Sequence, residues 1–264
     1  MPYAKNGDVN IYYEVEGEGE PLVLAHAAGS NIKDFRNNGY VDALKNDYTL
    51  VLFDARGFGM SDKPHTPADY DIKIRRGDVL AVLDDAGITQ SHFLGYSMGT
   101  VVGIELMTKE TDRFYSFILG GTSPYGRTEA QYKGALQQIE IFKTLKADPE
   151  AYFQQIEKNT GRSPTPEERN QTLSWDVDAF IAVIESQLDW APLSNDDLSR
   201  ISVPILLYCG SLDGYHDGAK KASRIIPHCE FVSLPNLNHG QAYYQSDLIL
   251  PHIKEFLTKV TKGA

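Results

Sequence analysis

The chain has little cysteine, no long apolar run and no surplus of positive charge, and each shortage closes off a class of protein. Its 264 residues include two cysteines, Cys209 and Cys229. Each lies in an apolar, strand-like segment, with no Cys-x-x-Cys pair and no paired histidines, so buried thiols are expected rather than a disulfide framework or a zinc site. No stretch approaches the roughly 18 apolar residues of a membrane span, and Met1-Pro2-Tyr3-Ala4-Lys5 passes into strand-like sequence without a signal-peptide apolar region. A cytoplasmic protein is expected. With 25 Lys and Arg against 36 Asp and Glu, the formal net charge is −11. That balance argues against nucleic acid or an anionic membrane as partner, since both need clustered cations. No internal repeat, low-complexity tract or long linker divides the chain.

What is present reads as one large α/β domain with an insertion, long enough to build a core without staples. Apolar, β-branched runs predict strands over Val9 to Glu16, Leu22 to Ala25, Thr49 to Phe53, Ser91 to Leu94 leading into Gly95, Phe117 to Leu119, Ile205 to Cys209 and Glu230 to Leu234. Helical spacing predicts helices running towards Lys45, from Ile72 to Ala86, from Met98 to Lys109, from Gly218 to Ile226 and from Ser246 to Val260. Strand and helix alternate, the signature of a doubly wound, mostly parallel sheet. Between Thr122 and about Asp197 the alternation stops. Helical periodicity fills that stretch (Arg127 to Lys146, Pro149 to Lys158, Asp176 to Leu188), broken by Gly161-Arg162-Ser163-Pro164-Thr165-Pro166. The expected organisation is a core of residues 1–121 and 198–264 with a helical cap inserted over 122–197. Some of the cap's aromatics, among them Tyr125, Tyr132, Phe142, Tyr152, Phe153, Trp175, Phe180 and Trp190, should face the sheet.

Chemistry concentrates at Leu94-Gly95-Tyr96-Ser97-Met98-Gly99-Thr100, where a strand runs into a helix with serine at the corner. Side chains two residues either side of such an apex would collide with backbone, hence Gly95 and Gly99. With 16 serines in the sequence and 22 glycines, chance supplies about 0.1 such matches, so the context has to decide. A serine hydroxyl is a weak nucleophile unless a base takes its proton, and the base needs a carboxylate to orient it. Useful partners lie just beyond the carboxyl ends of parallel strands, which converge on one edge. His239 follows the strand ending at Leu234, and Asp213 follows the strand ending at Cys209. Asp217 is close enough in sequence to compete, but Asp213 lies nearer the strand end. Gly120-Gly121-Thr122-Ser123, after the next strand, offers no carboxylate. His26 reads as loop scaffold, His65, His228 and His252 as surface residues, and His92 as lying at the wrong end of the sheet. Asp54 and Arg56 read as turn residues fixed by local hydrogen bonds.

Taken together, Gly95-Tyr96-Ser97-Met98-Gly99, Asp54-Ala55-Arg56-Gly57-Phe58-Gly59-Met60-Ser61, Gly210-x-x-Asp213 and Asn238-His239 resemble the α/β-hydrolase fold family, in particular its capped serine esterase and lactonase-like branch. The order Ser97, Asp213, His239 matches that family. The resemblance implies catalysis by Ser97, Asp213 and His239 with an oxyanion hole formed by the backbone N–H groups of Met98 and Ala28, and neither metal nor organic cofactor. It implies hydrolysis of a small-molecule carboxylic ester or lactone through an acyl-enzyme. One departure stands out: Ala27 occupies a position that is usually glycine, and losing one oxyanion donor costs on the order of 3 kcal/mol in the transition state. Serine at the elbow removes the dehalogenase and epoxide-hydrolase chemistry that uses aspartate there. Carbon–carbon bond hydrolysis and cofactor-free perhydrolysis use the same three residues, while a non-catalytic binding protein on this fold would not need all of them.

Overall fold

The computed structural model describes residues 2–263. Eight strands are present among them: β1 (Tyr3–Asn6), β2 (Val9–Glu16), β3 (Glu20–Ala25), β4 (Tyr48–Phe53), β5 (Ser91–Tyr96), β6 (Phe114–Gly120), β7 (Ile205–Gly210) and β8 (Cys229–Leu234). They form a single sheet in the order β1-β2-β4-β3-β5-β6-β7-β8. β1 and β2 pair antiparallel with each other and β2 with β4, while all pairings from β4 to β8 are parallel. The chain moves outward from β3 to β4 and then crosses back to β5 on the other side of β3. The switch point therefore lies between β3 and β5, where the loops leaving two neighbouring carboxyl ends diverge and open a crevice.

The helices are α1 (Ile32–Asn37), α2 (Tyr40–Leu44), α3 (Ile72–Asp85), α4 (Met98–Lys109), α5 (Glu129–Ala147), α6 (Pro149–Thr160), α7 (Pro166–Leu173), α8 (Val177–Ser186), α9 (Asn195–Ser199), α10 (His216–Ser223), α11 (His239–Tyr244) and α12 (Leu250–Gly263). Because side chains alternate across a strand, each parallel strand feeds two cores. Val23, Val51, Phe93 and Leu207 pack with Val79 and Val82 of α3 and Val102 and Leu106 of α4. Leu22, Leu50, Leu94 and Leu206 face the opposite way, towards Phe35 of α1, Leu44 of α2 and Phe256 of α12. A third cluster joins Phe58, Tyr70 and Met98 to Ile139 and Phe142 of α5 and to Phe180 and Val183 of α8. α5 and α8 are thereby seated over Met98 and Phe58 at the carboxyl edge of the sheet.

Several boundaries differ from the sequence expectations. The four-residue β1 buries only Ala4, too little apolar signal to mark a strand. The helix expected to run to Lys45 is two helices, broken at Asn38-Gly39, where Gly39 takes φ 77°. α10 starts and ends earlier than expected, and a 3₁₀ turn over Ser246–Leu248 precedes α12. α7, α9 and α11 were not expected. Of the aromatics between residues 122 and 197, Phe142, Tyr152, Phe153 and Phe180 are buried while Tyr132 is exposed. Cys209 is buried, but Cys229, at the start of the last strand, is only partly so; both are free thiols. Among the described residues, no helix is long and apolar enough to cross a membrane.

Candidate active site

Ser97 sits where β5 ends and α4 begins, with φ 50° and ψ −106°. Positive φ is unusual for a residue with a side chain, and this ψ lies far from the left-handed helical well, so the turn is strained. It holds because its surroundings over-determine it. The Ser97 N–H donates to the Gly120 carbonyl at 2.8 Å, and Thr100 Oγ1 donates to the carbonyls of Gly95 (2.9 Å) and Gly120 (2.7 Å). A Cβ on Gly95 would come within 2.8 Å of the Gly99 backbone, and one on Gly99 would run into the Ala25 carbonyl. Both glycines are thus demanded by close approach, as the motif requires.

The structure brings Ser97, His239 and Asp213 together from positions up to 142 residues apart. His239 Nε2 lies 2.9 Å from Ser97 Oγ, and His239 Nδ1 lies 2.7 Å from Asp213 Oδ2. The other oxygen of Asp213 accepts the Tyr215 N–H at 3.0 Å. An ionised carboxylate only accepts, so Nδ1 carries the imidazole proton and Nε2 is left to accept from the serine hydroxyl. Burial pushes the Asp213 carboxyl up, but the hydrogen bond and charge of His239 and the Tyr215 N–H outweigh it and hold the group below its ordinary value. An imidazole so held can take a proton from the hydroxyl and be steadied as a cation by the carboxylate. Asp217 plays no part in this chain: its side chain is fully exposed and touches His216.

His239 opens α11, whose N-cap is Asn238, and its carbonyl accepts the Tyr96 hydroxyl at 2.6 Å. Tyr96 therefore ties the strand carrying Ser97 to the backbone of His239, a contact that sequence spacing does not reveal. The Met98 N–H is free of intrahelical bonding because Met98 is the first residue of α4. Ala28 lies in the loop after β3 and lines the same cavity as Ser97, Met98, Asp213 and His239.

That loop is braced from below by His26. The ring is fully buried, its Nε2 accepting the Ala55 N–H at 3.0 Å and its Nδ1 lying 2.7 Å from the Ala27 carbonyl. One nitrogen accepts and the other donates, so the ring is neutral, consistent with burial lowering its pKa. The scaffold role expected of His26 fits these bonds. Ala27 does not take a positive φ; Gly29 does, at 77°. The methyl of Ala27 therefore meets no backbone penalty, and its carbonyl is pinned by His26 and by the Ser30 N–H.

Asp54 and Arg56 are not merely local turn residues. Asp54 accepts from the Ile32 and Met60 N–H groups, each at 2.8 Å, bolting the loop after β3 to the turn after β4. Arg56 forms a buried pair with Asp78 of α3, its Nε 2.6 Å from Oδ2. His92 is buried at the start of β5 and bonded to Ser116 at 2.8 Å, at the end of the strand away from Ser97. His65 lies 3.0 Å from Asp176, the N-cap of α8.

The cavity over Ser97 has a volume of about 470 Å³. Its walls combine Phe180, Val183, Trp190, Arg127 and Gln187 from the 122–197 segment with Tyr96, Tyr215 and Tyr243 from the core. Among the described residues, no group of three or more His, Cys, Asp or Glu gathers as a metal would require.

A model of the alpha/beta hydrolase fold family matches residues 20–152, the half of the chain that includes the elbow. The chain belongs to the α/β-hydrolase fold family. Over 155 residues it is 32% identical to a provisionally named carbamate hydrolase of Azorhizobium caulinodans, a match spanning 58% of this chain and 55% of that protein. It is 28% identical over 279 residues to a protein of Synechocystis provisionally named a non-heme chloroperoxidase, covering 97% of this chain and all of the other. Among solved structures, the enol-lactonase of Burkholderia xenovorans superposes with a TM-score of 0.78 at 22% identity, covering 97% of this chain and 100% of that one. Hydrolases of this fold set their reactive groups on loops at the carboxyl edge of the sheet, the edge on which Ser97, Asp213, His239 and Ala28 lie here.

Proposed function

We propose that the protein is a serine hydrolase acting on small carboxylic esters or lactones, with residues 122–197 as a cap over the catalytic centre. The observation that carries this reading is the continuous hydrogen-bonded series from Ser97 Oγ through His239 to Asp213 at the floor of the cavity. Ser97 Oγ attacks the carbonyl carbon as His239 Nε2 takes its proton, and Asp213 steadies the imidazolium. The Met98 and Ala28 N–H groups receive the developing oxyanion. Collapse expels the alcohol, protonated by His239, and leaves an ester on Ser97. Water then gives its proton to His239 and attacks that ester, and a second collapse releases the acid and restores Ser97. In a lactone the expelled alcohol stays tethered to the acyl group. A cavity of about 470 Å³ suits compact substrates rather than polymers.

The test is a panel of short-chain esters, lactones and amides assayed with wild type and Ser97→Ala. Activity that falls at least about a thousandfold in the variant supports the reading; undiminished ester hydrolysis by the variant removes it. The likeness to a protein named for peroxidase chemistry favours one second reading, in which hydrogen peroxide replaces water in the deacylation step. Peracid formation from an acyl donor and peroxide, dependent on Ser97, is its signature.

A further inference from the structure

Two fully charged side chains line the cavity, Asp213 and Arg127. Both oxygens of Asp213 are taken up by hydrogen bonds, from His239 Nδ1 at 2.7 Å and the Tyr215 N–H at 3.0 Å. Among the described residues Arg127 forms no ion pair, and the amide side chains that line the cavity with it, Gln131, Gln138 and Gln187, are neutral. Arg127 is half-buried. It donates through Nη1 to the backbone carbonyl of Gln187, and Nη2 lies 3.5 Å from that residue's Oε1. Gln187 is the C-cap of α8, so the negative end of that helix holds the group in place. The anchor orients the guanidinium without neutralising it, since both acceptors are uncharged and a guanidinium has five N–H donors in a rigid fork. Arg127 stands just before α5, whose Gln131 donates to the Gly214 carbonyl at 3.1 Å, next to Asp213. The wall carrying the free charge is therefore fastened to the loop carrying the proposed triad acid. In a chain whose net charge is −11, acids to pair with an arginine are plentiful, yet among the described residues none forms an ion pair with Arg127.

We propose that Arg127 is a carboxylate-binding subsite, and that the best substrates are esters or lactones bearing a free carboxylate remote from the scissile carbonyl, such as monoalkyl esters of straight-chain dicarboxylic acids. This rests on the serine-hydrolase reading above. A planar fork facing a carboxylate forms paired, charge-assisted hydrogen bonds, which a neutral end group of the same shape does not. Such contacts discriminate by roughly ten- to a hundredfold.

The experiment compares monomethyl esters of dicarboxylic acids of increasing length with methyl esters of the same length that end in a carboxamide. The quantity read is the ratio of kcat/KM for the two members of each pair. Wild type should favour the acid by about tenfold or more at its best length, mainly through KM. Arg127→Gln should bring the ratio close to one, and Arg127→Lys, which keeps the charge and loses the fork, should fall between. If Arg127 only caps α8, substitution slows both members alike and leaves the ratio at its wild-type value, which overturns the proposal. A wild-type ratio near one at every length overturns it without any variant. Hydrolysis that depends on Ser97 but shows no preference for the acid defeats this subsite alone, whereas hydrolysis that survives Ser97→Ala defeats the serine-hydrolase reading beneath it.

Discussion

The strain at Ser97 can be isolated by comparing two variants that both lack the hydroxyl. Ser97→Ala keeps a Cβ on a backbone at φ 50°, ψ −106°, and Ser97→Gly removes it. Each loses the Oγ contact to His239 at 2.9 Å, so that contribution cancels. Holding a side chain in so sparse a region costs about 1–3 kcal/mol. Glycine gives back about 0.4–1 kcal/mol through the greater freedom of its unfolded chain. Ser97 makes no side-chain cap to α4, so no capping bond is lost in either variant. The balance spans about 0–2.6 kcal/mol in favour of the glycine variant, with a middle near about 1.3 kcal/mol, which at roughly 2–4 °C per kcal/mol for a chain near this size is a Tm higher by about 3–5 °C. Urea unfolding followed by far-ultraviolet circular dichroism, with thermal melts alongside, measures the difference. An alanine variant more stable than the glycine variant by the full unfolded-chain contribution of about 0.4–1 kcal/mol refutes the claim that the turn stores strain.

Gly99→Ala should cost about 1–3 kcal/mol by overpacking, because the added methyl meets the Ala25 carbonyl at the end of β3; since the loop with Ala28 starts there, kcat should drop as well, and an unchanged urea midpoint would count against the contact. Asp213→Asn should lower kcat by about a thousandfold or more, since Nδ1 loses its charged acceptor. The same variant has a pH signature. The Asp213 carboxyl is held below its ordinary value in the folded protein, so its contribution to stability is complete above the ordinary carboxylate range and is lost as pH falls through the lowered value. The stability gap between wild type and Asp213→Asn should therefore narrow between neutral and acid pH in urea titrations; a gap that widens on acidification contradicts the assignment.

Most of the sheet could be read from the chain because strands buried on both faces leave unbroken apolar runs, as in Tyr48–Phe53 and Ile205–Gly210. β1 could not, since it is an edge strand with one buried residue. α7 is nearly as silent: Pro166–Leu173 buries nothing and has no apolar stripe, and its signals are confined to its start, the Thr165-x-x-Glu168 capping box and Pro166 in the first turn. Ser97, Asp213 and His239 were legible because parallel strands fix which loops converge, so a strand end followed by the right side chain is informative across more than a hundred residues. The contacts of Tyr96 with the His239 carbonyl, of Arg56 with Asp78 and of Arg127 with Gln187 follow no such rule. They depend on how separate elements dock, and short-range patterns in sequence carry no trace of that.

The central claim is that Ser97 is the nucleophile, and covalent labelling with a fluorophosphonate tests it most directly. Intact-mass measurement of wild type should show a single adduct, mapped by peptide sequencing to Ser97, with no adduct on Ser97→Ala and slowed labelling of Asp213→Asn. A wild-type protein that stays unlabelled while hydrolysing esters, or an adduct on any other residue, would contradict the account.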